Sequence, residues 1–217
     1  MNKIRLSGAR KFLLSAMVAF AAAFSSSADL RAADDDAILN KIASKNAGYK
    51  TMEYKFDHVK TTATKAQVTM HGTSYYTASE KFALIYTDPA TERFIINGTK
   101  LYMNRSGKVQ NIDITKVASM KMMSTCVLCG VSGRISDILK AADYDCKVEE
   151  TKDAYVVTLT AKQKAAKGYA RILLSYRKSD CVCSLLEMEE FNHVVNTYTM
   201  LDGKVNGKVE DSVYSIK

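Results

Sequence analysis

The chain has 217 residues, 47% of them apolar, with one proline, no tryptophan and a formal net charge of +8. That length and apolar content suit a single domain with a buried core and exclude a disordered chain. The basic residues form no long run and no nucleic-acid motif accompanies them, which excludes a nucleic-acid-binding module.

The N-terminus accounts for half of that charge. "MNKIRLSGARK" carries Lys3, Arg5, Arg10 and Lys11 and no acid, and the apolar run Phe12–Phe24 follows it. The run is too short to span a bilayer comfortably. Ser26-x-Ala28 then fits a small-x-small cleavage site, with Leu30-x-Ala32 as a second choice. The pattern predicts a secretory signal peptide over residues 1–28 and a single domain over 29–217. Removing the segment leaves 27 basic against 23 acidic residues, a net charge of +4. No cysteine lies near the cleavage site, so the mature protein is expected to be soluble and not itself lipidated.

A helix is predicted over about 34–47. Asp34–Asp36 suit its first turn, Ile38, Leu39, Ile42 and Ala43 form its apolar stripe, and Gly48 stops it. The period then changes to two. Met52, Tyr54 and Phe56 share one face of a strand, then Val68, Met70 and Tyr76, then Phe82, Leu84 and Tyr86. Asn97-Gly98 marks a hairpin turn between "RFIING" and "TKLYMN". "TKVASMKMMS" reads as a short helix, Cys126–Ser132 as a loop and "GRISDILKAA" as a second short helix. Alternation returns in "YDCKVEE", "AYVVTLTAK", "YARILLSYRK", "CVCSLLEMEEF", "VNTYTMLD" and "KVEDSVYSI". Eleven or twelve short strands in succession, interrupted by two helices, predict an antiparallel meander that is closed or nearly closed.

No catalytic motif is present. His58, His71 and His193 belong to no metal or nucleophile pattern, and His58 and His71 fall in strands, where surface or rim positions are expected. Glu187, Glu189 and Glu190 cluster on one strand without a recognisable partner. No G-x-S-x-G, P-loop or G-x-G-x-x-G occurs. The protein is expected not to be an enzyme and to need no cofactor or metal. The five cysteines leave alternatives open: structural disulfides, free thiols, or a Cys-x-x-Cys redox or metal centre at Cys126 and Cys129. Export favours disulfides. A brace between Cys126 and Cys129 is the pairing expected, with Cys146 the simplest odd thiol.

The block "TASEKFALIYTDPATERFIINGTKLYMN" (77–104) is more specific than composition. Phe82 and Leu84, Pro89, Ile95, Asn97-Gly98 and Leu101-Tyr102 occur in an order that resembles the LolA-like family of periplasmic carriers of outer-membrane lipoproteins. Outside that block the likeness is one of layout. Ala78 stands where the family has its lid-contacting arginine, with Lys81 nearby, so a lid latch would have to differ.

The resemblance implies an incomplete antiparallel barrel of about eleven strands, with helices covering its concave face. It also implies a monomeric periplasmic carrier. Such a protein binds the acyl chains of lipid-modified proteins, takes them from an inner-membrane releasing complex and passes them to an outer-membrane acceptor. Another hydrophobic ligand on the same scaffold, such as a free lipid or pigment precursor, is the alternative. On this reading Met52, Tyr54, Phe56, Phe82, Leu84, Tyr86, Leu101 and Met103 face the cavity. Val117, Met120 and Met123 belong to the lid, where methionine suits an adaptable apolar surface.

Overall fold

In the computed structural model, residues 28–78, 80–164 and 168–216 are described. The signal peptide expected over 1–28 lies, but for Ala28, outside them.

Two hairpin meanders build one antiparallel sheet. The first contains β1 (Thr51–Thr61), β2 (Gln67–Thr77), β3 (Lys81–Asp88), β4 (Arg93–Asn97), β5 (Lys100–Arg105) and β6 (Lys108–Asp113). The second contains β7 (Tyr144–Glu150), β8 (Ala154–Ala161), β9 (Tyr169–Arg177), β10 (Cys183–Glu190) and β11 (Val195–Val205). Pairing of β1 with β11 joins them, giving the order β6-β5-β4-β3-β2-β1-β11-β10-β9-β8-β7. β6 and β7 are unpaired edges, so the sheet is an incomplete barrel of eleven strands, as expected. Most strands bury one face: Met52, Tyr54, Phe56 and His58 are buried along β1 while their neighbours are more exposed, whereas the edge strand β6 buries no residue. In the hairpin between β4 and β5, Asn97 pairs with Lys100, so the turn residues are Gly98 and Thr99, one position later than expected. Gly98 has φ +57°, which suits the first central position of a type II′ turn.

The chain must cross from one sheet edge to the other between Asp113 and Tyr144, and the crossing covers the concave face. A 3-10 turn at Ile114–Lys116 leads into α2 (Ala118–Val131) and α3 (Ile135–Ala141). The loop expected over Cys126–Ser132 is a correction: Cys126–Val131 are the second half of a continuous helix. That half is buried on all sides, so its sequence lacks the polar stripe that announces an amphipathic helix. The Tyr176 hydroxyl donates to the Gly130 carbonyl at 2.6 Å and fixes this end of α2 to β9.

α1 (Ala28–Asn46) begins earlier than predicted and ends as predicted. Ile42 is fully buried. Asn46 Nδ2 donates to the Ile42 carbonyl at 3.0 Å and the Cys181 carbonyl at 2.6 Å, which ties the helix end to the turn between β9 and β10. A second, smaller core lies on the convex face. There Tyr214 packs against Ala83, Ile95 and Tyr102, and its hydroxyl is 2.9 Å from Thr77 Oγ1. The segment after β11 thus folds back over the outside of the first meander. Among the described residues no helix is long and apolar enough to cross a membrane.

Candidate functional site

The helices fill only one end of the concave face. The C-terminal half of α2 packs into the sheet, whereas its N-terminal half stands over a cavity of about 900 Å³. The cavity opens at the end where the β1–β2, β3–β4, β5–β6 and β10–β11 hairpins gather.

Cross-strand register stacks the wall in tiers. Phe56 lies opposite Gly72, Gly72 opposite Tyr86, and Phe56 opposite Met200. A side chain at position 72 would collide with the Phe56 ring and the Ile85 carbonyl, so only glycine fits there. One tier towards the mouth, His58 lies between Met70 and Tyr198, and Tyr198 lies opposite Leu186. At the mouth, Lys60 lies between Val68 and Asn196, and Asn196 lies opposite Met188. The wall therefore changes from aromatic and aliphatic to polar along its depth.

Of the expected cavity residues, Phe82, Leu84, Tyr86 and Met103 line this space. The other four share the concave core but not the cavity. Met52 and Tyr54 border a separate void of about 10 Å³ at the closed end, with Val131 and Cys183. Leu101 is fully buried in packing. Phe56 backs the wall, its ring edge-on to Tyr86 at 5.1 Å. Of the lid residues, Met120 and Met123 line the cavity. Val117 does not: it is the exposed N-cap of α2 and makes no side-chain capping bond.

Most of the wall's second half went unassigned in the sequence. Tyr169, Leu186, Met188, Tyr198 and Met200 all line the cavity. The alternation in β10 and β11 carried that signal, because Leu186 and Met188, and Tyr198 and Met200, are spaced by two as in the first meander.

His58 is not at the surface, contrary to expectation: it is 5% exposed. Its Nε2–H donates to Asn196 Oδ1 at 3.1 Å, which leaves Nδ1 to accept from the Tyr86 hydroxyl at 2.9 Å. The ring stacks on Tyr198 with centroids 4.1 Å apart. Burial pulls its pKa down to about 4; the Asn196 bond opposes this, and the nearby charges of Arg105 and Lys60 reinforce it. His58 is therefore neutral at neutral pH, and so are Tyr86 and Tyr198, whose phenol pKa values burial raises. The wall is polar but uncharged at this depth.

The thiols offer little chemistry. Cys126 and Cys129 sit on successive turns of α2, both buried and both free, so the expected brace between them is not formed. Burial pushes Cys126 up to about 12 and raises Cys129. A thiol must ionise to act as a nucleophile or metal ligand, and these environments oppose it. Cys183 is likewise pushed up to about 12 by burial. Among the described residues no group of three or more His, Cys, Asp or Glu side chains is placed to hold a metal ion.

No family model matches the chain, and no curated protein matches it. Solved structures do. An uncharacterized conserved protein from Thermus thermophilus aligns with 84% of this chain and 94% of its own, at 9% identity and a TM-score of 0.51. MucB aligns with 85% of this chain at 12% identity and a TM-score of 0.50; the match spans 63% of MucB. A LolA superfamily protein, NE2245 from Nitrosomonas europaea, aligns with 84% of this chain and 97% of its own, at 14% identity and a TM-score of 0.42. These are likenesses of fold alone: the chain shares its fold with the Thermus thermophilus protein and with the matched part of MucB.

Proposed function

We propose that the protein is a periplasmic carrier that holds the acyl chains of lipid-modified proteins between its sheet and α2 and delivers them toward the outer membrane. It works as a monomer, without cofactor or catalysis. It receives cargo from an inner-membrane releasing complex and yields it to an outer-membrane acceptor. The observation that carries this reading is the cavity of about 900 Å³. That volume lies near the top of the usual range of about 300–1,000 Å³ for ligand sites. Its wall of methionine and aromatic side chains suits flexible hydrocarbon.

Each methylene withdrawn from water contributes about 0.8 kcal/mol, so one long acyl chain contributes on the order of 10 kcal/mol. A carrier must also release. α2 is anchored unevenly: Ser124 and Cys126–Val131 are buried, while its first turn has neither a side-chain cap nor an acidic residue. That turn carries Met120 and leads into Met123, so the lid is the loosest part of the helix. Opening it exposes the cavity while the buried half keeps α2 attached.

A synthetic triacylated lipopeptide should displace a fluorescent fatty-chain probe from the protein at micromolar concentration or below, and the same peptide without acyl chains should not. Equal displacement by both, or by neither, contradicts the reading.

A further inference from the structure

The cavity mouth holds two inward-facing cations that the apolar cargo does not explain. On β1 the inward residues are Phe56, His58 and Lys60; on β5 they are Leu101, Met103 and Arg105. Both series run from packed core to the rim, and both end in a cation. Lys60 and Arg105 line the cavity. Among the described residues neither forms an ion pair, although thirteen Lys or Arg pairs with carboxylates occur there. Lys60 is half-buried and Arg105 exposed at the mouth, so both stay solvated in the empty cavity and stand free to meet a ligand that brings an anion.

We propose that Lys60 and Arg105 form an anion subsite at the mouth. The cavity then takes an amphiphile whose acyl chain lies among the methionine and aromatic side chains and whose carboxylate or phosphate head meets these two cations. The inference rests on the cavity holding acyl chains. It does not depend on whether those chains are attached to a protein.

Several features agree. The polarity of the wall follows the polarity of such a ligand: hydrocarbon level with Leu84, Phe94 and Met103, then the neutral His58–Asn196 pair, then charge. Although Lys60 and Arg105 come from strands separated by three others, both act on His58, and Arg105 also favours ionisation of Tyr86 and Tyr198. Their fields therefore converge on one side of the mouth. Arg93 adds a third cation at the rim. Two acids lie there too. Glu92 acts on the same tyrosines and partly offsets Arg105. Glu190 lines the β10 side, and its Oε2 accepts from Asn192 Nδ2 at 3.1 Å. The cations thus gather on the β1–β5 side, and the head group belongs there.

The test compares three ligands of equal chain length at pH 7.5: palmitate, palmitoyl lysophosphatidate and the uncharged monopalmitoylglycerol. Each is titrated against the wild type and against the double variant Lys60→Gln, Arg105→Gln. Both positions are on the rim, and unchanged binding of the uncharged ligand verifies that the variant folds. The wild type should bind at least one anionic ligand about tenfold or more tighter than the uncharged one, the worth of a single charge-assisted hydrogen bond. The variant should lose that preference, and added salt should weaken it. Whichever anion is preferred identifies the head group as carboxylate or phosphate. If all three bind the wild type equally, or if the variant keeps the preference, the anion subsite is refuted and the acyl-chain carrier stands. If none binds, both readings fail.

Discussion

Lowering the pH should destabilise this protein through His58 over a defined window. In the unfolded chain the imidazole titrates near 6.5. In the folded chain burial beside Tyr198, with Arg105 and Lys60 nearby, holds it at about 4. Below pH 6.5 the unfolded state therefore binds a proton that the folded state refuses until about pH 4. Stability falls as pH falls across that window, and the penalty is absent above it. Between pH 7.5 and 4.5 the loss from this one group is about 2–3 kcal/mol. Other groups titrate there too, so the comparison is with His58→Gln, which keeps an amide for Asn196 and Tyr86 but cannot take up the proton. Urea unfolding of both proteins, followed by circular dichroism at pH 7.5, 6.5, 5.5 and 4.5, isolates the term. The wild type should lose about 2–3 kcal/mol more than the variant over the series. A difference between the two proteins that stays constant within about 0.5 kcal/mol would show that His58 is not held neutral in the wall.

Val117→Asp should supply the missing cap of α2, raise stability by about 1 kcal/mol in thermal denaturation and slow ligand release in stopped-flow displacement. Met123→Glu should place a carboxylate under the lid and reduce acyl-chain affinity at least tenfold, the scale of an unpaired charge in an apolar site. Because Met123 is only half-buried, its melting temperature should change little; Phe82→Glu, at a position 2% exposed, would test folding instead. Cys126→Ala should cost about 1–2 kcal/mol through lost packing. It should leave ligand binding unchanged, whereas a thiol-dependent activity would disappear with it.

The sheet was legible because an antiparallel strand with one packed face writes its geometry as alternation. Phe82, Leu84 and Tyr86 announce β3 and its inward face without help from the rest of the chain. The same alternation cannot distinguish a cavity from a core. Phe56 and Leu84 have the same spacing and similar chemistry, yet Phe56 is sealed by Gly72 and Tyr86 while Leu84 faces open space. The difference lies in where α2 stops filling the concavity, which depends on contacts between distant segments. The second half of α2 was obscured for a related reason. Cys126–Val131 contain modest helix formers and no polar face, and burial on every side stabilises a helix that propensity leaves unannounced. His58 was expected at the rim because a lone histidine in a strand usually stays wet. It is buried because Tyr86, Asn196 and Tyr198, from 28 or more residues away, satisfy and cover its ring.

The central claim is that acyl chains lie between the first-meander wall and the N-terminal half of α2. A lipopeptide whose acyl chain bears a photoreactive group at its end can be bound, irradiated and the adducts mapped by peptide mass spectrometry. The account predicts labels on Leu84, Phe94, Met103, Met120 and Met123. Labels on the convex face, at Tyr75, Ile85 or Tyr102, or no saturable labelling at all, would contradict it.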